Sequence, residues 1–417
     1  MITEENNKFL SFLVWLCLTL FYCYQYILRV LPNIIMPDIL VKYSIGAAEF
    51  GSFAGLYYIG YIVVHIPIGI LLARYGSKRI LPLFVGITAL GLIPLVYLDS
   101  WNSVVLGRFL TGVGSSAAIV GALQAFRIIY PHKFSRMLGY TVLFGLITAV
   151  FVGTPLATVI KSIGIESTIN YLVITGVVLA SMMLIIMPKS VSETSKSDMI
   201  GDVKSVIFNI KIIVVSLLAG LMVGPLEGFA DAWGSAFMMN VYDLAKDQAD
   251  SFTLSILFGM GGGCIILPYL ADKLRMYLGV TMLSAVMMIA CFIHILSGKA
   301  TQDTLYYACV ITGIFCAYQV VIIAKISTYV SEERSGIAAA VANMVIMTFG
   351  WVFHNAIGNT MDSKWDGAME NGVKLYTAQN YISSLWIIPK AIFIALVGFA
   401  IMIMVNRIHA RIQKGAK

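Results

Sequence analysis

Long apolar blocks and short polar breaks alternate along the whole chain. A block of about 20 apolar residues is long enough to cross the hydrocarbon core of a bilayer as an α-helix. The first block begins at Phe9 and is not followed by a small-residue cleavage site, so we expect it to remain as the first helix. The pattern predicts twelve transmembrane helices, over 9–31, 49–72, 79–98, 103–130, 136–161, 167–187, 209–240, 251–271, 277–297, 304–330, 335–361 and 380–406.

The composition restricts the class of protein. Of the 417 residues, 59% are hydrophobic and only 12% are charged, against a charged share of about 25% in soluble domains. A water-soluble fold and nucleic-acid binding are therefore excluded, and an all-α membrane protein of the lipid bilayer is predicted. The sequence has no nucleotide-binding loop, no nucleophile beside a base and no metal-ligand spacing, so we expect no enzymatic activity, no cofactor and no metal.

The Lys and Arg residues between the apolar blocks are distributed unequally. Most of them fall in the breaks on one side of the predicted bundle. Because cytoplasmic loops carry the excess of positive charge, both termini and the polar linker at 188–208 are predicted to be cytoplasmic. The opposite side holds only Lys42, Lys161, Lys246, Lys299, Lys364 and Lys374.

The linker separates two sets of six predicted helices, at 1–187 and 209–417, and the two sets resemble each other. The segment LLAR at 71–74 corresponds to LADK at 270–273, which lies 199 positions later. Parallel six-helix repeats are typical of transporters in which two similar halves rock about a central site. The repeat therefore predicts a carrier.

Three segments carry specific motifs. They are GILLARYGSKR at 69–79, PYLADK at 268–273 and RFLTGVG at 108–114. In these motifs the chain resembles the major facilitator superfamily, which implies a twelve-helix fold of two pseudo-symmetric bundles. The family has an acidic residue where this chain has Ala73, so we expect a charged latch only in the second half. The resemblance implies conformational or structural roles for Gly69, Arg74, Gly76, Arg79, Arg108, Gly112, Asp272 and Lys273.

Other segments resemble particular branches of the superfamily. The fifth helix lacks the full glycine-proline signature of drug-proton antiporters, which favours import. Tyr22 to Asn33 is similar to the first helix of organic anion symporters. The segment EGFADAWG at 227–234, with Asn343 to His354, resembles the phagosomal nutrient transporters of intracellular bacteria. This resemblance implies import of an amino acid or a nucleoside across a bacterial inner membrane by a protein that acts as a monomer.

A charged residue at mid-membrane is costly, so each one needs a partner, a water-filled cavity or an escape to the interface. Arg29 has Tyr22, Tyr26 and Asn33 at helical spacings of three or four residues, which form one polar-aromatic stripe. A guanidinium can bind a carboxylate through two parallel hydrogen bonds. Arg29 is therefore the leading candidate for substrate binding, and a purely structural salt bridge is the alternative.

Two carboxylates form the second candidate group. Glu227 lies 198 positions after Arg29, and Asp231 follows four residues later on the same helix face. The resemblance implies that Arg29 and Glu227 approach the pseudo-twofold axis from opposite halves, where they would bind the two ends of a zwitterion. Because two buried carboxylates repel each other when both are charged, either is a candidate proton carrier. The alternative is a helix-end pair that faces solvent.

Further polar residues stand in the apolar blocks. His354 is a third candidate for proton coupling. Four further residues are candidates for substrate binding, namely Trp233, Gln319, Tyr318 and Asn343. For Gln319, Tyr318 and Asn343 the alternative role is hydrogen bonding between helices. Arg127 and Lys325 either line the cavity or extend to the membrane surface. Arg108 is expected to have a structural or coupling role.

The favoured hypothesis is a secondary active transporter that imports a small amphoteric or anionic nutrient by proton symport with alternating access. Among such nutrients an amino acid is the favoured substrate. Two alternatives are other cargoes, namely a polycarboxylate or iron chelate, and a nucleoside that would stack on the tyrosines. A further alternative, from another class, is a transporter-like receptor that binds its ligand without flux. The expected partners are thus a small-molecule substrate, protons and lipid.

Overall fold

The computed structural model describes residues 4–130, 133–187, 199–331, 334–370 and 373–415. Residues 188–198 of the predicted linker lie outside this part of the chain, and so does the side chain of Arg127. The chain forms two compact units, of which the first comprises Met1–Ser197 with Trp365–Leu375 and the second Asp198–Lys364 with Tyr376–Lys417.

The first unit is built from seven described helices and one short hairpin. In the hairpin, strand β1 (Met369–Glu370) pairs antiparallel with β2 (Val373–Lys374). The helices are α1 Glu4–Tyr43, α2 Ala47–Tyr75, α3 Ser77–Leu90, α4 Ile93–Tyr97, α5 Trp101–Ser115, α6 Ala117–Ile129 and α7 Phe134–Ile186.

The second unit contains ten described α-helices and one π-helix, Gly224–Trp233. Part of the predicted linker is helical here, because Met199–Ile207 forms the first helix of this unit. The α-helices are α8 Met199–Ile207, α9 Ile210–Gly220, α10 Gly234–Tyr242, α11 Lys246–Leu274, α12 Tyr277–Leu296, α13 Gln302–Cys316, α14 Tyr318–Ser327, α15 Ser335–Ser363, α16 Ala378–Leu385 and α17 Ile387–Gly415.

Ten of the described helical segments are long and apolar enough to cross a membrane, and an eleventh span results if the bent pair Gly201–Ile207 and Ile210–Gly220 counts as one. The predicted fifth and sixth helices merge into α7, which is interrupted at Gly164 with φ +84° and ψ 160°. This backbone conformation is accessible to glycine and costly for other residues. The predicted seventh helix is divided among α9, the π-helix and α10.

The first helix is longer than predicted. The apolar block predicted an end near residue 31, and Pro32 follows directly. In the structure α1 continues to Tyr43 with Pro32 and Pro37 inside it. Because proline removes a helical hydrogen bond, the freed backbone groups must be satisfied by other donors.

Helices α2 and α5 of the first unit cross at very short range because both carry glycine at the crossing. A Cβ atom at Gly60 would lie 2.2 Å from the carbonyl oxygen of Phe109, and one at Gly112 would lie 2.0 Å from that of Tyr57. Any side chain would separate the two helices at these points. The assignment of Gly112 to a structural motif is consistent with this contact.

The second unit repeats the same crossing between α11 and α13. A Cβ atom at Gly259 would lie 2.0 Å from the carbonyl oxygen of Val310, and one at Gly313 would lie 1.9 Å from that of Ile256. These residues follow their counterparts in the first unit by 199 or 201 positions. The internal repeat is therefore visible in backbone packing as well as in sequence.

Candidate functional site

Arg29 lies in an aromatic environment inside the first unit. The residue is 8% exposed, and its guanidinium carbon is 5.5 Å from the ring centroids of both Tyr26 and Tyr58. An aromatic face attracts a cation through the quadrupole of its ring. A guanidinium in such surroundings can bind an anionic ligand. Tyr58 comes from α2 and was not among the predicted site residues.

The predicted stripe on α1 is present and has a neighbour on α7. The rings of Tyr22 and Tyr26 meet edge to face, with centroids 5.2 Å apart. Gly145 of α7 lies against them, because a Cβ atom there would be 2.5 Å from Cδ1 of Tyr22. Asn33, one turn beyond Arg29, is buried. The structure thus places Tyr22 against Tyr26 and Tyr26 against Arg29, as the shared helix face predicts, and Asn33 is buried one turn further along α1.

More aromatic and polar side chains of α2 join this group. The hydroxyl of Tyr57 donates to Oε1 of Gln25 at 2.7 Å, and its ring stacks on Tyr61 at 6.3 Å. Tyr61 in turn stacks on His65, whose Nδ1 lies 3.0 Å from Oγ of Ser116. Tyr57, Tyr58 and Tyr61 lie within an apolar block of the sequence. Their spacing of three or four residues is the only sequence feature that could have indicated this aromatic group.

Arg108 of α5 contacts α1 directly. Nη1 donates to the carbonyl oxygen of Leu28 at 2.7 Å, and Nη2 donates to that of Arg29 at 3.2 Å. The guanidinium carbon also lies 4.6 Å from the ring centroid of Tyr57. All of these contacts are with backbone and aromatic groups of α1 and α2 in the first unit.

The two predicted carboxylates of the second unit are both buried. Glu227 is 0% exposed and Asp231 is 2% exposed, which argues against the alternative of a solvent-facing pair at a helix end. They lie on a π-helix rather than on the expected α-helix, and the N–H of Gly234 bonds the carbonyl of Phe229, five residues earlier. A π turn takes more than four residues, so groups four apart remain neighbours. Such turns occur frequently at functional sites.

Helix α15 packs against the π-helix. A Cβ atom at Gly224 would lie 3.0 Å from the Phe353 side chain, and one at Gly228 would lie 3.1 Å from it. The absence of a side chain at these two glycines therefore lets the two helices approach. The neighbouring residue His354 is buried at 1% exposure. Trp233 is also buried completely, whereas Asn343, further along α15, is half-buried.

Tyr318 and Gln319 occupy different surroundings. The Tyr318 hydroxyl donates to the carbonyl oxygen of Ala219 at 2.6 Å, which matches the interhelical role considered for it. Gln319 is 7% exposed, and among the described residues its Nε2 has no hydrogen-bond partner. A buried amide without a hydrogen-bond partner is costly. Gln319 is therefore a better candidate than Tyr318 for a hydrogen bond to a polar ligand.

Lys325, another charged residue of the apolar blocks, has local contacts. Nζ of Lys325 lies 3.4 Å from Oγ1 of Thr328 and 5.0 Å from the ring centroid of Tyr329, at the end of its own helix. These contacts favour extension toward the membrane surface. Lys390 is exposed. The contacts of the Arg127 side chain lie outside the described part of the chain.

Each motif loop follows a helix that is capped by a residue with positive φ. Gly76, with φ +78° and ψ 157°, caps α2, and Arg275, with φ +53° and ψ 33°, caps α11 199 positions later, so the two caps differ in backbone conformation. In the second loop the Tyr277 hydroxyl donates to Oδ1 of Asp272 at 2.5 Å, and Nζ of Lys273 lies 5.9 Å from the Tyr269 ring. A Cβ atom added at Gly69 would lie 4.0 Å from Cγ1 of Val120, which is ordinary van der Waals contact. Arg74 and Arg79 are exposed.

The sequence pattern does not indicate that Asp250 is a buried acid. Asp250 of α11 is 0% exposed, although the hydropathy pattern placed it in a polar break just before the predicted helix at 251–271. The start of α11 at Lys246 brings it inside the helix. Among the described residues, no group of three or more His, Cys, Asp or Glu side chains could hold a metal ion.

Comparison with known proteins supports a transporter. The profile of the family described as Major Facilitator Superfamily matches residues 14–353. Two relatives are described as uncharacterized transporters of Buchnera aphidicola, from the subspecies Acyrthosiphon pisum (strain APS) and Schizaphis graminum (strain Sg). Each is 33% identical, over 113 and 110 residues respectively, which is 26% and 25% of this chain. The match spans only 28% of each relative's length.

Solved structures of transporters share the fold. A bacterial homologue of the human lysosomal transporter Spinster aligns with a TM-score of 0.76 and 16% identity, over 94% of this chain and 96% of that one. The nucleoside transporter NupG aligns with a TM-score of 0.75 and 13% identity, over 94% and 99%. A D-xylose-proton symporter aligns with a TM-score of 0.69 and 14% identity, over 93% and 96%. At these identities the likeness establishes the fold and leaves the substrate open.

Proposed function

The chain belongs to the major facilitator superfamily and is a multi-pass membrane transporter rather than an enzyme, and from this premise we propose that it imports an amino acid by proton symport. The observation that carries the proposal is the buried Arg29 guanidinium, held between the rings of Tyr26 and Tyr58. A buried cation that is surrounded by aromatic faces suits a small anionic group of a ligand.

Arg29 would bind the substrate carboxylate through two parallel N–H···O bonds. Tyr22, Tyr26 and Asn33 share its helix face and would orient the bound group. Uncharged donors fix the direction of a ligand at lower cost than a second charge, because they need less desolvation. Gln319, Asn343 and Trp233 are further candidates for substrate binding.

Glu227 and Asp231 would carry the coupled proton or meet the substrate amine. Both carboxylates are almost completely removed from solvent, and buried acids within apolar helices of transporters commonly serve proton or ion pathways. His354 is a third candidate, because imidazole changes charge near physiological pH. The D-xylose-proton symporter with the same fold supports proton coupling as a mode of transport.

A ligand screen tests the substrate class. The detergent-purified protein is heated with each of the twenty amino acids, with nucleosides and with citrate. A compound that binds the folded state at 100 times its Kd stabilises it by about 2.7 kcal/mol, which raises the melting temperature measurably. Stabilisation by an amino acid supports the proposal. Stabilisation by citrate or by nucleosides alone contradicts it.

Uptake into liposomes tests the mechanism. Accumulation of the stabilising amino acid should require an inward proton gradient and should be lost in Arg29→Ala. Glu227→Gln and Asp231→Asn keep size and polarity while they remove the ionisable group. If both variants retain full gradient-driven accumulation, the coupling assignment is wrong. Lys390→Ala, which changes an exposed cation, is the matched control and should transport normally.

Nucleoside import is the second candidate function. The rings of Tyr22, Tyr26, Tyr57, Tyr58 and Tyr61 provide stacking surfaces within the first unit, and the nucleoside transporter NupG has the same fold. Base stacking on aromatic side chains contributes about 1–3 kcal/mol per base in nucleic-acid complexes. Uptake that nucleosides inhibit and amino acids leave unchanged would favour this function.

We further propose a bacterial inner membrane location with both termini in the cytoplasm, two six-helix domains at 1–187 and 209–417, and a monomeric transporter. The excess of Lys and Arg in one set of loops supports the orientation. Labelling of single cysteines added at each terminus, with a membrane-impermeant thiol reagent in whole cells, tests it. Labelling before cell lysis would overturn the assignment.

A further inference from the structure

Helix α1 has an unusual backbone problem next to Arg29. Pro32 lies inside the helix, and because proline has no N–H, it cannot donate to the carbonyl oxygen of Leu28, four residues earlier. The ring also presses on that carbonyl and loosens the neighbouring hydrogen bond to Arg29. Two carbonyl groups in a buried helix therefore need donors from elsewhere.

Arg108 supplies both donors from α5. Its Nη1 lies 2.7 Å from the Leu28 oxygen and its Nη2 lies 3.2 Å from the Arg29 oxygen. The two donors of one planar guanidinium match the spacing of two successive carbonyls, which an ammonium or amide cannot do as well. Arg108 is 6% exposed, so these hydrogen bonds are shielded from water.

The guanidinium is itself fixed by α2. Its carbon lies 4.6 Å from the ring centroid of Tyr57, and the Tyr57 hydroxyl donates to Oε1 of Gln25 at 2.7 Å. Gln25 lies one turn before Arg29 on α1. The connections therefore run from Gln25 of α1 through Tyr57 of α2 to Arg108 of α5, and from there to the backbone of α1 at the residue that binds substrate in the proposed function.

We propose that Arg108 is a positioning residue, which replaces the amide missing at Pro32 and thereby fixes the backbone that carries Arg29. The proposal rests on the proposed function only for its consequence, namely correct placement of the substrate-binding guanidinium. Binding groups must be held close to their productive geometry by rigid surroundings. Without Arg108 the helix would bend at the proline, and the Arg29 side chain would start from a displaced backbone.

Substitution of the proline separates this role from a role of the Arg108 charge. Pro32→Ala restores an N–H that can donate to the Leu28 carbonyl, so it should compensate for the loss of Arg108 although it restores no positive charge. Arg108→Met removes every donor and keeps a long side chain. A role of Arg108 in charge balance or proton movement predicts that Arg108→Met stays defective whatever residue stands at position 32.

Hydrogen exchange of the ligand-free protein tests the backbone role without any substrate. In Arg108→Met, amides of the α1 segment 28–36 should exchange about tenfold faster, which corresponds to about 1.4 kcal/mol of lost local stability. The double variant Arg108→Met with Pro32→Ala should regain wild-type exchange. Arg29→Ala is the control, because the main-chain carbonyl of residue 29 still accepts from Arg108. Hydrogen exchange of the segment 28–36 should be unchanged in this variant.

Uptake gives the functional readout. For the amino acid that stabilises the purified protein most, Arg108→Met should raise KM about tenfold, and adding Pro32→Ala should restore it. Unchanged exchange in Arg108→Met, or a defect that Pro32→Ala does not repair, overturns the proposal. If Arg108→Met fails to fold, the proposal requires that the double variant with Pro32→Ala folds. A double variant that also fails to fold overturns the proposal. Normal uptake by Arg29→Ala would refute the proposed function and leave the exchange result intact.

Discussion

The hydroxyl of Tyr318 donates a 2.6 Å hydrogen bond to the carbonyl oxygen of Ala219, in the last turn of α9. The same oxygen accepts from the N–H of Met222, with a donor-acceptor distance of 3.0 Å. Helix α9 ends at Gly220 and the π-helix begins at Gly224, so this bond ties α14 to the point where the chain leaves one helix for the other. A tyrosine that the sequence offered as a substrate contact is thus engaged in packing.

Tyr318→Phe should therefore destabilise the protein slightly and leave transport intact. Because Met222 still satisfies the Ala219 oxygen, the cost should be that of one hydrogen bond, about 1 kcal/mol. Thermal unfolding and uptake kinetics measure the two effects. Tyr307→Phe, at an exposed position, is the control and should change neither. A rise in KM without loss of stability in Tyr318→Phe would restore the residue as a substrate contact.

The glycine crossings predict a sharp contrast within α11 and α13. A Cβ atom at Gly313 would lie 1.9 Å from the Ile256 carbonyl oxygen, whereas one at Gly262 would meet nothing within 4 Å. Gly313→Ala should cost about 3 kcal/mol, since it forces two helices apart. Gly262→Ala should stabilise by up to about 1 kcal/mol, because alanine is the better helix former. Equal unfolding temperatures for the two variants would contradict this crossing.

The motif loops predict opposite effects of matched glycine changes. Arg275 has φ +53° and Gly76 has φ +78° with ψ 157°. A side chain is strained at both positions, so Arg275→Gly should stabilise by about 1 kcal/mol and Gly76→Ala should destabilise by at least as much. Unfolding temperatures of the two single variants measure this. Destabilisation by Arg275→Gly would show that the arginine side chain contributes more than the strain costs.

Much of the fold follows from local sequence. Hydropathy predicted the helical spans, and the loops PYLADK at 268–273 and GILLARYGSKR at 69–79 predicted the family and the repeat. Hydropathy is a property of single blocks, so it could not predict how the seventh helix breaks. In the π-helix that forms at this break, Gly224 and Gly228 pack against Phe353 of α15, a contact between residues more than a hundred positions apart.

The candidate site was predictable only along single helices. The stripe of Tyr22, Tyr26, Arg29 and Asn33 shares a helix face, so its spacing was sufficient. Tyr58 and the donors of Arg108 reach the stripe from other helices. Nothing in the sequence pattern of α1 indicates which neighbour satisfies the carbonyls freed by Pro32. Tertiary contacts decide this.

A partly exposed ion pair holds α8, the helix that lies within the predicted linker. Nε of Arg334 lies 2.8 Å from Oδ1 of Asp202, with side-chain exposures of 47% and 23%. Solvent screens such a pair, so a double-mutant cycle of Asp202→Asn and Arg334→Gln should give a coupling energy of about 0.5 kcal/mol. The coupling should fall further at high salt. A coupling that salt leaves unchanged would indicate that the pair is shielded.

Asp250 provides the final test, because it is as buried as the proposed proton carriers. It lies three residues before Thr253 on α11, and a Cβ atom at Gly234 would be 2.3 Å from Cγ2 of Thr253. Residues three apart share a helix face, so Asp250 is on the side of α11 that packs near the start of α10, beyond the π-helix. This position favours a packing role. We expect Asp250→Asn to retain gradient-driven accumulation and to lower stability by about 1–3 kcal/mol.

The comparison with Asp231→Asn makes this prediction sharp, since both changes replace a buried carboxylate by an amide of the same size. Asp231→Asn should lose accumulation while it keeps exchange of labelled for unlabelled substrate, because exchange needs no net proton movement. Asp250→Asn should keep both. If Asp250→Asn instead abolishes accumulation and preserves exchange, then the coupled proton resides on α11, and the π-helix carboxylates hold the substrate amine.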